Sequence, residues 1–308
     1  MALLIAILLV ALGTIIAASI AYENAMTARR SSATFALDQS ILVGEAAEAL
    51  AAYGLREVWR SDKQHIYIGQ GWDKPVGPVE VVPEVMLTAA LEDMSGRFNL
   101  NSLVSSDGTP NKYTFAAFQQ LLASLDIEPK WAGYVVDWID QDIVPQNPDG
   151  AEDSVYMGQV PPYRTPNQYI TSASELLALP GFGHDRWKKL APYVTALPID
   201  AKLNLCTASG IVLDAFIPGR REFGNDPEGL QKNRESAGAC FPKQTDYQAA
   251  FENPTQYSAV QGLFAQTSSY FKLTSFVTIG ATEFNLYSLM YQDATGTARP
   301  LLRSYTPD

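Results

Sequence analysis

The chain has 308 residues, of which 47% are hydrophobic and 18% charged, with a formal net charge of −11 and a pI near 4.7. That balance excludes a disordered chain. The acidity argues against a phosphate backbone as partner, because such binding rests largely on Lys and Arg, and is more compatible with calcium or protein partners. At ~150 residues per domain, the length leaves room for an anchor plus one large or two small globular parts.

The first 22 residues carry no charged side chain and no proline before Glu23. At ~1.5 Å of rise per residue, such a helix spans the ~30 Å hydrocarbon core of a bilayer. A cleavable secretory signal would need a cationic start and a shorter apolar run, and no Lys or Arg precedes this one. The helical pattern then continues to about Arg60, free of proline and rich in Ala, Leu, Glu and Arg, with Leu42, Ala46, Ala49 and Tyr53 on one face. The prediction is one helix over 1–60, half in lipid or a bundle of like helices and half supporting a folded domain.

Gly69, Gly71, Pro75, Gly77 and Pro78 then mark turns. Gln64–Ile68 and Val79–Val82 around them have an extended character, and Val85–Glu92 reads as a further strand. In Ser95–Val104 the alternating Phe98 and Leu100 predict a strand end, with Asn99 and Asn101 turning or capping the backbone. From Thr114 the spacing becomes helical: Phe115, Phe118, Leu121, Leu122 and Leu125 form one stripe, and Trp131–Ile139 a second helix ending in an acidic loop. Ser174–Val194 reads as two short helices about the turn Pro180–Gly183, with Ser174 as N-cap. Leu203–Phe216 reads as a helix start and Pro218–Ala239 as a long surface loop. At the C-terminus the period changes to two. Tyr270–Gly280 and Glu283–Asp293 are predicted to form a hairpin with Gly280 in its turn, and ARPLLRSYT a last strand. The simplest compact arrangement puts both strand groups in one sheet packed on the N-terminal helix, with the helical block inserted between them.

Two cysteines occur, Cys206 and Cys240. In an oxidising compartment they pair and close a loop worth ~3 kcal/mol in chain entropy; in the cytosol they would be two separate thiols. The anchor favours the bridge.

The layout resembles a type IV pilin-like subunit after leader removal, and more specifically the K-type minor pseudopilins of the type II secretion system. The matching features are the anchor with apolar Ile5, SGRFNLNSLV (95–104), DWIDQD…GAEDSVY (137–156), PPYRTPNQ (161–168) and SELLALPGF (174–182). They occur in the family's order and extend over nearly the whole chain. The cysteine pair and the stretch 220–239 fall outside the shared pattern. The fold class implied is α+β: a pilin-like fold whose long N-terminal transmembrane helix packs on an antiparallel sheet, with a large inserted α-helical domain. Its parts are expected at 1–60 (helix, 1–22 transmembrane), 61–100 (first part of the sheet), 101–258 (insertion) and 259–308 (C-terminal strands).

Pilins usually carry glutamate at mature position 5, where it meets the amino terminus of the neighbouring subunit. The resemblance therefore makes Met1 and Ile5 assembly positions, gives the amino terminus a methyl group, and places the chain at a pseudopilus tip with no subunit ahead. The soluble part would face the periplasm from a single-pass inner-membrane anchor. Implied partners are the I- and J-type minor pseudopilins, the major pseudopilin, the inner-membrane secretion platform and secreted substrates, in support of export of folded proteins across the outer membrane. The alternative within the superfamily is a minor pilin serving adhesion or DNA uptake.

Asp137, Asp140, Asp142, Asp149, Glu152 and Asp153 crowd into 17 residues interrupted by Pro145, Pro148 and Gly150. Hard oxygen donors on a tight loop suit Ca²⁺, and no His or Cys lies nearby to suit zinc. Such a cluster taken alone is more often a solvated, helix-capping loop; the resemblance implies a calcium site, with Asp140, Asp142, Glu152 and Asp153 as ligands and Asp137 hydrogen-bonding inside the block. SELLALPGFG also resembles a helix-hairpin-helix that offers backbone N–H groups to DNA phosphate. Across Gly96–Leu205, however, 8 Lys and Arg face 12 Asp and Glu, so no nucleic-acid partner is expected. With His65 and His184 far apart and no nucleophile or phosphate-loop motif, no enzyme is expected either.

Overall fold

The computed structural model describes residues 1–280 and 282–306. A single helix, α1 (Ala2–Ser61), occupies the first fifth of the chain. Its leading half is bare of protein contacts, while Ser40, Gly44, Ala47, Glu48, Ala51 and Leu55 form the buried stripe of its trailing half. Small residues dominate this stripe because the helix lies close on a sheet: a Cβ at Gly44 would stand 2.9 Å from Leu286 Cδ2. The predicted face of Leu42, Ala46, Ala49 and Tyr53 points away from the sheet, with Leu42 66% and Tyr53 64% exposed.

The sheet is antiparallel, in the order β1 (Val76–Val82), β2 (Val85–Asp93), β7 (Tyr270–Ile279), β8 (Thr282–Gln292), β9 (Ala298–Ser304). Burial alternates along β7 and β8, as their period of two requires. Phe271, Leu273, Val277 and Met290 meet Ala47, Ala51, Leu55 and Trp72 in the core beneath α1. The turn holds Gly280 at φ +57.

Everything between β2 and β7 leaves and re-enters the sheet at one place, since the last residue of β2 pairs with the second of β7, Asp93↔Phe271. A buried polar joint secures it. The Asp93 carboxylate accepts hydrogen bonds from Ser95 N (2.8 Å), Thr207 Oγ1 (2.5 Å), Ser268 Oγ (2.5 Å) and Asn204 Nδ2 (3.2 Å). Burial pushes the Asp93 carboxyl up, and these donors oppose it.

The intervening block contains β3 (Phe98–Asn99), α2 (Lys112–Ser124), α3 (Trp131–Ile139), α4 (Asp153–Tyr156), α5 (Gly183–Leu190), β4 (Val194–Thr195), β5 (Leu203–Asn204), α6 (Gly210–Ala215), α7 (Pro227–Ala237), α8 (Gln244–Ala249), α9 (Pro254–Val260) and β6 (Phe264–Ala265). Its core is separate from that under α1 and centres on Phe98, Phe118, Leu121, Leu122, Val135 and Val212. Phe98 stacks on Phe118 and on Phe216, with centroids 5.2 and 5.6 Å apart.

Several local expectations are corrected. Gln64–Ile68 is no strand, because Asp62 Oδ1 accepts from Gln64 N and His65 N and turns the chain. In 95–104 the strand is confined to Phe98–Asn99, which pairs parallel with β4 and is flanked by 3₁₀ turns, while Val104 makes an isolated antiparallel bridge to Pro110. The Asn99 cap does hold: its Oδ1 accepts from Asn101 N. Leu203–Asn204 pairs with β6, and helix begins only at Gly210, capped by Ser209. The cap before the 3₁₀ turn Ala173–Ala178 is Ser172, not Ser174, in a capping box with Glu175. The expected loop 218–239 contains α7, with Asp226 as N-cap, Pro227 at the first position and Gly238 left-handed at its end.

One cross-link tests the seating of α1. The Arg303 guanidinium spans Glu48 (2.8 and 2.6 Å) and Glu45 (3.0 Å), and Ser288 Oγ donates to Glu48 at 2.6 Å. Glu48 is only 3% exposed, so Arg303→Ala leaves a buried carboxylate without its charge partner and with Ser288 Oγ as its remaining described donor. The expected loss is about 2 kcal/mol in urea unfolding. An unchanged midpoint and slope would show that this contact does not hold β9 to the helix.

Candidate metal centre and assembly helix

The acidic loop is built on α3, whose residues are almost all buried. Asp137 and Asp140 sit three residues apart on the same face of its end. The chain then doubles back, and two glycines permit it: a Cβ on Gly133 would collide with the Asp149 carbonyl, and one on Gly150 with Gln146 N and Asp137 Oδ2. Asp137 fastens this return by accepting from Gln146 N (3.1 Å) and Ala151 N (2.6 Å). Glu152 lies at the N-cap of α4, yet its side chain caps nothing and turns inward.

Carboxylate oxygens of Asp137, Asp140 and Glu152 thereby come within 4.8 Å of one another. Asp140 and Glu152 are 1% and 3% exposed, and all four of their carboxylate oxygens lack a hydrogen-bond partner among the described residues. Buried anions without partners are costly. Burial, reinforced by neighbouring negative charge, pushes Asp140 and Glu152 up to about 7 and Asp137 up to about 6. Three clustered hard oxygen donors, two of them with orphaned carboxylates, fit a divalent cation such as Ca²⁺, whose charge would remove both penalties. Tyr156 packs between Trp138, tilted at 51°, and Tyr163, edge-on at 63°, at centroid distances of 5.4 Å from each.

Two of the expected ligands are engaged elsewhere. Asp142 is exposed and accepts from Val144 N (2.7 Å), and Asp153 accepts from Thr165 N (3.2 Å) and Thr165 Oγ1 (3.1 Å). Asp137, expected only to hydrogen-bond within the block, does so and also joins the cluster. Sequence reasoning did not single out Asn167 or Tyr156, whose side-chain Oδ1 and OH are likewise buried without partners; nothing in their spacing marks them.

The other predicted positions lie apart. Cys206 and Cys240 form a disulfide, both fully buried, with Cα atoms 4.7 Å apart and a sequence separation of 34. Arg234, only 7% exposed, donates to the carbonyls of Leu205, Ala208 and Phe241 on both sides of that bridge. Met1 and Ile5 belong to the bare half of α1, 98% and 58% exposed. This segment is long and apolar enough to cross a membrane.

A family model described as type II secretion system (T2SS), protein K matches residues 96–199, within the inserted block. The type II secretion system protein K of Pseudomonas aeruginosa is 31% identical, over 98% of this chain and 91% of that protein. Its counterpart in Aeromonas hydrophila is 34% identical over 94% of this chain and 91% of that one. The chain belongs to the type II secretion system protein K family. Its role is therefore that of a minor pseudopilin. The fold also superposes on a chain from the crystal structure of the GspK-GspI-GspJ complex from enterotoxigenic Escherichia coli, with a TM-score of 0.77 at 22% identity, covering 91% of this chain and all of that one. The α+β pilin-like fold with its helical insertion is thus a known architecture, in which the family model covers part of the insertion and not the helix that anchors it.

Proposed function

We propose that this minor pseudopilin is a single-pass inner-membrane subunit with its folded part in the periplasm, that it caps the tip of a short pseudopilus together with I- and J-type minor pseudopilins, and that it binds Ca²⁺. The observation that carries the assembly reading is the unpartnered surface of α1. The bare apolar half needs lipid or other helices around it, and Leu42, Ala46, Ala49 and Tyr53 extend an apolar stripe past the bilayer on the side away from the sheet. The Escherichia coli chain of the same fold was crystallised in a complex of GspK with GspI and GspJ. Helices of the I- and J-type subunits fit that stripe here, with the major pseudopilin below, the inner-membrane platform at the base and secreted substrates above.

Tip placement rests on Ile5 and on bulk. A subunit stacked ahead would bring a free amino terminus next to position 5, and an apolar residue there would leave that charge unpaired at a cost of several kcal/mol. The inserted block would also obstruct such a neighbour. Asp137, Asp140 and Glu152 would hold the calcium, which supplies positive charge to a buried acidic pocket.

Residues from Ala25 onward should capture the I- and J-type subunits, and Leu42→Glu with Tyr53→Glu should abolish capture without lowering the melting temperature. Capture that persists in this variant would move the interface off the stripe. Ile5→Glu should leave secretion largely intact, since no neighbour reads that position; a full loss of secretion would argue against the tip.

A further inference from the structure

Positive charge on the bare half of α1 is sparse and grouped. Arg29 and Arg30 are the only Lys or Arg residues before Arg56, in a chain whose net charge is −11. Both are exposed. On a helix surface a side chain meets those three and four residues away. None of the residues at those spacings, 25–27 and 32–34, is acidic. The nearest carboxylates along the chain are Glu23, six residues before Arg29, and Asp38, eight after Arg30. The first buried residue of α1, Ser40, lies ten residues past Arg30, or ~15 Å along the helix. The folded part thus begins too far on to neutralise the pair, and the counter-charge has to come from outside the chain.

The height of the pair along the helix says what lies beside it. The uncharged run ends at Tyr22, 68% exposed, an aromatic of the kind that sits at a membrane–water interface. With the helix upright, the Arg29 and Arg30 backbones stand ~11 Å past Tyr22. The ~30 Å hydrocarbon core is bordered on each side by about 5–8 Å of headgroups. Helical side chains lean toward the helix N-terminus, which for this span is back toward the bilayer, and a long arginine bridges the remaining gap. The guanidinium fork fits phosphate oxygens through paired hydrogen bonds. A partner helix would have to bring carboxylates to this same height, whereas lipid phosphates are present there wherever the span is seated.

Resting on the single-pass membrane reading above, we propose that Arg29 and Arg30 form a clamp for the phosphate headgroups of anionic lipids, which sets the depth of the span and the height of the folded part above the bilayer. The contact-free stem from Tyr22 to Ser40 makes that height ~27 Å. The clamp accounts for the placing of two adjacent cations on a stretch of helix that gives them no partner of its own.

Full-length protein is reconstituted into vesicles of phosphatidylcholine with a minority of phosphatidylglycerol. Ala25→Cys supplies one free thiol for a fluorescent donor, since Cys206 and Cys240 are paired. Energy transfer is then read to an acceptor on the acyl chain of either lipid. With both arginines intact, phosphatidylglycerol should be enriched around the stem, about fivefold for each arginine near an anionic surface, and the enrichment should shrink as salt rises. Arg29→Gln with Arg30→Gln, an exposed change that keeps helix propensity, should insert equally and lose the preference. Insertion without any preference for phosphatidylglycerol when the arginines are intact would overturn the clamp and leave the pair to a carboxylate on another subunit. A preference that survives in the double variant would move the headgroup site off these residues. Protein that stays out of the vesicle fraction would overturn the span, and the clamp with it.

Discussion

Chelation should lower the melting temperature of this protein much more at pH 8 than at pH 5. Without metal, Asp140 and Glu152 are pushed to about 7 and Asp137 to about 6, so the native state holds protons that the unfolded chain releases near pH 4. Folded values above unfolded ones mean that the stabilisation from these protons is fully present below about pH 4 and is lost as pH rises through 6 and 7. At pH 8 the metal-free pocket must bury three like charges, at a cost on the order of a few kcal/mol. Calcium reverses this by replacing the protons, and at 100 times its dissociation constant contributes about 2.7 kcal/mol. Its affinity should in turn weaken as pH falls from 7 to 5, because protons compete for the same oxygens. Asp140→Asn with Glu152→Gln should give a metal-free protein more stable at pH 8 than metal-free wild type, yet indifferent to calcium. Melting curves at the two pH values, with and without chelator, read all four expectations. A wild-type curve that ignores chelator at pH 8, for protein shown to be free of metal, would sink the metal centre.

Loss of the Cys206–Cys240 bridge is expected to be comparably severe. Closing a loop 34 residues long restricts the unfolded chain by about 3 to 4 kcal/mol. For a folded part of this size that corresponds to a drop of roughly 5–15 °C in melting temperature. The damage should be local, because α7 lies within the loop and Arg234 binds carbonyls on both of its flanks. Burial holds the Arg234 guanidinium down to about 10, and its hydrogen bonds to Leu205, Ala208 and Phe241 all go to neutral carbonyls. Cys206→Ser with Cys240→Ser should therefore speed hydrogen exchange in 205–241 far more than in the sheet. Thiol labelling of denatured, unreduced protein from the cell envelope should find no free cysteine. Two labelled thiols would place the domain in a reducing compartment and contradict the periplasmic reading.

What the sequence by itself determined follows from local physics. An uncharged, proline-free run of 22 residues can only be a helix in an apolar setting, and the same pattern carries on into the helix that supports the sheet. The stripes of α2 and the two-residue period of β7 and β8 likewise arise from neighbours along the chain. Signals for α7 were present too, in Asp226, Pro227 and Gly238, but the charged composition of that stretch concealed them. Tertiary structure alone decided the rest. Two-residue strands such as Phe98–Asn99 exist only through a partner about a hundred residues away, so no local period announces them. The carboxylates show the same limit. All six are close in sequence and chemically alike, yet Asp140 and Glu152 are buried with no hydrogen-bond partner among the described residues, while Asp142 and Asp153 each have an oxygen that accepts from nearby N–H or hydroxyl groups. The sorting depends on the return of the loop past Gly133 and Gly150, which sets desolvation, and desolvation is a property of the packed chain and not of any residue type.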